Sequence, residues 1–250
     1  MTPATAYRAA ILVALVAVLE ILCLAGVIDR LTMQPPHRML VDLFRLLMSG
    51  SLNRPIAKTL GNVALAFTIS MIIGVVTGIC LHRWKTLRNT LDPLFAAYYA
   101  IPMFAFYPLL IIIFGLGDAP QVFIGAMLAI IAVIVSTLNG LDRVPTVLLK
   151  TARISQMSRV ETALHVTLPC AAPHIFTGAK LAISYSFIGI IGAEFIMSNS
   201  GMGYEISFAY NNFDNATMYP LILLILFTSI TINSVLARWE KVLMRRRGLR

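Results

Sequence analysis

Any chemistry in this chain has to come from a short supply of reactive side chains set in an apolar background. Two carboxylates stand inside aliphatic runs: Glu20 within LVAVLEILCL and Glu194 within GIIGAEFIM. A carboxylate in such a run is costly unless it meets protein, water or a polar partner, so a proton-coupled role is one reading of both. Glu194 is expected to be a hydrogen-bonding group at the outer rim, because its run ends a few residues later. Glu20 either faces a cavity, pairs with another helix or is protonated. His37, His82, His165 and His174 are scattered, with no H-E-x-x-H, and no serine sits in G-x-S-x-G. No G-x-x-x-x-G-K-[ST] occurs, so nucleotide phosphates are not cradled by that route. Cys23, Cys80 and Cys170 have neither paired nor metal-type spacing and read as reduced bystanders. The residues predict no catalysis, no metal centre and no cofactor bound by this chain; nucleotide energy would have to enter through another subunit.

The elements that position these groups are set by composition. Hydrophobic residues make up 58% of the 250 and charged residues 12%, with a mean hydropathy of +0.83, far too apolar for a soluble domain. Charge-poor windows near the ~20 residues that cross a bilayer occur at Ala9–Ile28, Thr59–Leu81, Leu94–Phe114, Pro120–Gly140, His174–Met197 and Thr217–Ala237. Barrel strands would be half as long and alternating, so the expected fold is an all-α polytopic membrane bundle of about six helices. The first window is read as a retained helix, since its apolar run exceeds a signal-peptide core and no convincing A-x-A site follows.

Charge gives the orientation. With the N-terminus inside, fourteen of the twenty Lys and Arg fall on cytoplasmic segments: Arg8, then Arg83, Lys85 and Arg88, then Arg143, Lys150, Arg153 and Arg159, and the tail from Arg238 to Arg250. Five fall outside, at Arg30, Arg38, Arg45, Arg54 and Lys58, and Lys180 lies near the membrane. The positive-inside rule then puts both termini in the cytoplasm. The net charge of +9 comes without any nucleic-acid recognition motif; topology and attraction to anionic lipids account for it.

Packing signals divide the helices. Gly74 and Gly78 form a small-xxx-small pair, and Gly178, Ala182, Ser186, Gly189 and Ala193 run along one side of the fifth window. Close helix packing is the preferred reading, pore lining the alternative. The third window contains Pro102 and Pro108 in its interior and follows Pro93, so it should kink or break. It is either a bent structural helix or a broken helix beside a pathway.

Between the fourth and fifth windows, Asp142 to Thr167 mixes apolar positions (Val144, Val147, Leu148, Ala152, Ile154, Met157, Val160, Ala163, Leu164) with basic and polar ones. That pattern suits one or two short amphipathic helices, ended by Pro169 before Pro173 opens the next span. Such a segment either docks another subunit or lies on lipid headgroups.

In this segment Lys150-Thr151-Ala152, then Gln156, then Val166 and Leu168-Pro169 resemble the signature of ATP-binding-cassette importer permeases: Glu-Ala-Ala, three residues, Gly, nine residues, Ile, one residue, Leu-Pro. Ala152, Val166, Leu168 and Pro169 fit; Lys150, Thr151 and Gln156 depart. Leu91-Asp92-Pro93, Ala100-Ile101-Pro102, Tyr107-Pro108-Leu109, Phe114-Gly115-Leu116-Gly117, Asn139-Gly140, Thr177-Gly178, Ala193-Glu194 and Gly201-Met202-Gly203-Tyr204 resemble the nitrate/sulfonate/taurine-type branch in order and spacing, from about Pro35 onward. The resemblance implies a membrane-spanning subunit of the prokaryotic inner membrane that works by alternating access and does no chemistry itself. Its implied partners are a second permease copy, cytoplasmic ATP-binding subunits that use ATP and Mg, and an external solute-binding protein. The coupling residues would be Lys150, Thr151, Ala152, Gln156, Val166, Leu168 and Pro169; candidate pathway or packing residues are Pro102, Pro108, Gly178, Ala182, Ser186, Gly189 and Glu194. The chain then divides into an N-terminal helix and external segment (1–58), a transmembrane domain (59–237, coupling loop 142–167) and a basic tail (238–250). The competing classes are an ATP-independent secondary transporter working through Glu20 or Glu194, and a membrane scaffold.

Overall fold

The computed structural model describes residues 3–29 and 32–246; Arg30, Arg247 and Arg250 of the charge pattern lie outside them. The centre of the bundle is three long helices, α3 (Asn53–Arg83), α6 (Asp118–Asp142) and α9 (Leu168–Met197), each in contact with the other two. They approach closely because small residues meet at the crossings. Gly74 lies against Val133, Gly78 against Thr137 and Gly178 against Ser136. Backbone meets backbone between Gly125 of α6 and Gly189 of α9: a Cβ on Gly189 would stand 2.7 Å from the Gly125 Cα. Gly178, Ala182, Ser186, Gly189 and Ala193 are all buried, with Ala182 packed beside Ala129 and Val133.

Around this core stand α1 (Pro3–Leu24), α2 (Pro36–Met48), α4 (Lys85–Tyr98), α5 (Tyr107–Phe114), α10 (Met202–Asn211) and α11 (Asn215–Arg246). Among the described residues, α3, α6, α9 and α11 are each long and apolar enough to cross a membrane. The expected first span appears as the shorter apolar stretch Ala10–Leu24 of α1. The expected third span is broken, not continuous: α4 ends at Tyr98, a 3-10 turn covers Met103–Phe106, and the two halves meet at 91°. Pro102, which has no N–H to carry a helix across the gap, sits at the break. Pro108 is not interior; it lies in the first turn of α5, where a missing N–H costs nothing.

Asp142 to Thr167 folds as α7 (Thr146–Ile154) and α8 (Arg159–Thr162), the latter closed by a capping box in which Ser158 accepts from the Glu161 amide and Glu161 accepts from the Ser158 amide. Pro169 does not stop the helix, contrary to the sequence reading. A π turn over Ala163–Thr167 runs directly into α9, with Pro169 in its first turn and Pro173 inside it. The wider π turn removes the bond that Pro169 cannot donate and gives its ring room.

α2 and α10 had no counterpart in the sequence reading. α2 is amphipathic, burying Met39 and Leu43 and packing on α11. Glu20 of α1 is tied to its start, accepting from the His37 amide at 3.1 Å and pairing with the His37 ring. Of the three readings of Glu20, pairing with another helix is the one seen. The cysteines are free, and Cys23 is buried.

Candidate functional site

Each end of α6 carries an aspartate held by a base from a neighbouring helix. At one end Asp118 meets Lys58 of α3 at 2.8 Å; at the other, Asp142 receives both guanidinium nitrogens of Arg88 at 2.8 and 2.6 Å, with His82 at 3.2 Å. A bidentate pair of this kind fixes direction as well as distance. These contacts hold α3, α4 and α6 in register at the two ends of the bundle.

Glu194 lies at the Asp118 end, near the last turn of α9, and is fully buried. Burial of a carboxyl group is tolerable only when its oxygens are satisfied, and here they are. The Thr59 hydroxyl lies 2.9 Å from both oxygens, and the Gly203 amide donates to Oε2 at 3.0 Å. The Met202 amide donates in turn to Thr59 Oγ1 at 2.9 Å. Residue 201 has to be glycine: its φ is +111°, and a Cβ there would run into the Glu194 carboxyl group. The Gly-Met-Gly turn therefore wraps the carboxylate and leads into α10. Beside it, Asn62 donates to Gln121 at 3.1 Å, and Gln121 donates to Ser198 at 2.9 Å. Lys58 reaches the Ser200 hydroxyl. Glu194 was picked out from sequence, and Gly201 within the Gly201-Met202-Gly203-Tyr204 resemblance, but Thr59, Asn62 and Gln121 were not. The one available signal was Gly201 and Gly203 following the acid at short range.

At the Asp142 end, the expected coupling residues divide by exposure. Lys150, Thr151 and Gln156 are exposed, Val166 and Leu168 are partly buried, and Pro169 is exposed. Ala152 is only 2% exposed and faces its own chain, so it offers no surface to another protein. The apolar side chains that do face outward are Val147, Leu148, Ile154, Val160 and Leu164, with Ile154 at 83%. Gln156 has φ of +55°, and the amide of Met157 donates back to the Ala152 carbonyl at 3.0 Å. That is a left-handed helix cap, the conformation glycine adopts most cheaply. Gln156 stands where the permease signature has glycine, and its backbone keeps the shape glycine would take. Among the described residues no group of three or more His, Cys, Asp or Glu is placed to hold a metal.

Known proteins resemble this chain in fold and in sequence. The fold is similar to the methionine ABC transporter MetNI in an inward-facing conformation, with a TM-score of 0.67 at 17% identity over 77% of this chain and 95% of that one. An amino acid ABC transporter crystallised with histidines gives 0.60 at 15% identity, over 83% and 96%. Among curated sequences, the nitrate import permease protein NrtB of Leptolyngbya laminosa is 29% identical over 72% of this chain and 64% of its own length. The bicarbonate transport system permease protein CmpB of Synechococcus elongatus is 34% identical over 61% and 55%. The taurine transport system permease protein TauC of Escherichia coli is 28% identical over 73% and 68%. The chain thus spans from just over half to about two thirds of these relatives. Residues 66–248, which include the second part of α3, all of α6 and α9, the α7–α8 segment and the Gly201–Gly203 turn, match a single family profile. On that match the chain belongs to the family of binding-protein-dependent transport system inner membrane components.

Proposed function

We propose that this chain is one half of the membrane pathway of an ATP-driven, binding-protein-dependent importer for a small oxyanion-bearing solute such as nitrate, bicarbonate, taurine or another sulfonate. Two copies enclose the pathway, cytoplasmic subunits hydrolyse ATP with Mg, and an external solute-binding protein delivers the cargo. Both termini and α7–α8 face the cytoplasm, and the chain itself is non-catalytic.

The observation that carries this reading is the outward apolar row on α7 and α8, with Ile154 at its centre, whose α8 part runs into α9 without an intervening loop. An exposed apolar patch flanked by Lys150, Arg153 and Arg159 suits a protein partner, and its direct link to a core helix lets that partner move the bundle. Glu194 is an unsuitable proton carrier, since both its oxygens are engaged and buried.

The test is reconstitution with the ATP-binding subunit and the solute-binding protein in proteoliposomes. ATP-dependent uptake of nitrate or taurine, and ATPase activity that rises with loaded binding protein, are expected. Uptake that needs a proton gradient but no ATP would overturn the reading.

A further inference from the structure

The break between α4 and α5 leaves backbone uncovered at membrane depth. Tyr98 donates its hydroxyl to the Met127 carbonyl at 3.0 Å. Met127 is nine residues from Asp118 and fifteen from Asp142, about 14 and 22 Å along α6. Phe104, beyond the break, covers Gly192 of α9. Residues 99–102 are thus held inside the span, yet all four are exposed, and the carbonyls of Ala100 and Ile101 accept no backbone hydrogen bond among the described residues. Non-helical backbone at this depth is tolerated where it is buried in protein or lines a water-filled cavity, not against hydrocarbon.

A second observation meets the first at the same place. Tyr99, 52% exposed, lies against Tyr185 of α9 with ring centroids 6.1 Å apart. Neither hydroxyl has a hydrogen-bond partner among the described residues, whereas those of Tyr98 and Tyr107 donate to carbonyls at 3.0 and 2.9 Å. Tyr185 is twelve residues from Met197, about 18 Å along α9, so its phenol sits deep in the span. Its neighbours along that side of α9, Leu181 and Ile188, are exposed and apolar. The nearby cation Lys180 is engaged elsewhere, 2.6 Å from Glu240 of α11.

We infer that Tyr99 and Tyr185 line the wet solute pathway, and that their free hydroxyls donate hydrogen bonds to a passing oxyanion. This rests on the importer reading for the cargo class. A fixed cation deep in a low-dielectric span would hold an oxyanion too firmly to release it. A phenol is a neutral donor, and its ring face is electron-rich, so an anion engages it through the hydroxyl and moves on.

The test has two arms, both on the complete transporter with its ATP-binding subunits. In a background with Cys23, Cys80 and Cys170 replaced by alanine, Tyr99→Cys and Tyr185→Cys are labelled in nanodiscs with a charged, membrane-impermeant methanethiosulfonate. Val13→Cys on the exposed apolar face of α1 is the reference. Thiols in water form the reactive thiolate far more readily, so labelling about ten-fold faster than the reference is expected. In the second arm, Tyr99→Phe and Tyr185→Phe keep the rings and remove the donors; nitrate and taurine uptake should each fall about five-fold per hydroxyl at equal abundance and equal resting ATPase activity. Labelling no faster than the reference, or full uptake by both Phe variants, overturns the inference. If the wild-type complex moves neither probe, the importer reading for oxyanions fails and the cargo class with it, while labelling still decides whether this face is wet.

Discussion

Thr59 and Glu194 stand 135 residues apart in the chain, yet the Thr59 hydroxyl lies 2.9 Å from both oxygens of the Glu194 carboxyl group. Thr59 also accepts the Met202 amide, so one buried hydroxyl joins α3, the end of α9 and the start of α10. The arrangement has no slack: removing the hydroxyl leaves both a carboxyl oxygen and an amide without their partner.

Thr59→Val should therefore cost about 1–3 kcal/mol, the usual penalty for orphaning buried polar groups, while Thr59→Ser should stay near wild type. Thermal unfolding of the purified protein in nanodiscs reads the difference. Equal midpoints for the Val variant and the wild type would show that the hydroxyl contributes nothing to holding these helices.

Gln156 gives an opposite sign. A non-glycine residue at φ +55° carries a backbone penalty of about 1 kcal/mol, so Gln156→Gly should strengthen the α7 cap. The Met157 amide, which donates to Ala152, should then exchange with deuterium roughly five-fold more slowly. Faster exchange in the glycine variant would mean that the glutamine side chain itself holds the cap.

The α7 surface separates folding from docking. Ala152→Asp buries a charge in the chain's own packing and should cost a few kcal/mol, lowering the amount of folded protein. Ile154→Asp lies on the exposed row and should leave unfolding unchanged within about 0.5 kcal/mol, yet abolish co-purification with the proposed ATP-binding subunit. Lys150→Ala, also exposed, should be mild in both respects. Normal co-purification of the Ile154 variant would leave the lipid surface as the occupant of this row.

Topology is open to direct measurement. Reporter fusions after Arg88, Asp118, Arg159, Asp214 and Arg250 should read inside, outside, inside, outside, inside, as the fourteen-to-five charge division requires. An external reading at Arg159 would place α7–α8 beyond the reach of any cytoplasmic ATPase.

The sequence carried the long helices well, because α3, α6, α9 and α11 are membrane-grade runs whose hydropathy alone marks them. Pro102 told of the break in the third window, since a missing donor acts locally. Pro169 misled for the same reason: its effect depends on the π turn before it, a register change that no residue type announces. α2 was hidden by its modest hydrophobicity, though Pro36 at its start and Met39, Leu40, Leu43 and Leu47 at helical spacing are a legible signal. Glu194 drew attention as an isolated acid with Gly201 and Gly203 close behind it, but its partner Thr59 lies 135 residues away, and tertiary pairing of that range leaves no local pattern. Ala152 matched a signature by type, which says nothing about which way it faces.

The π turn makes α8 and α9 one unjointed rod, with α7 attached to it through the turn at Ser155–Ser158. Between Leu168 and Glu194 there are 26 residues, about 39 Å of helix, with no loop in which a displacement could be absorbed. A tilt imposed at the Asp142 end must then swing the opposite tip in proportion, and that tip is where the Gly201–Gly203 wrap grips the carboxylate. Along that length Gly189 packs directly on Gly125, a backbone-to-backbone contact with no side chains to interlock. The stiffness of a single rod, rather than a relay of separate contacts, is what ties the two faces of the membrane together in this chain.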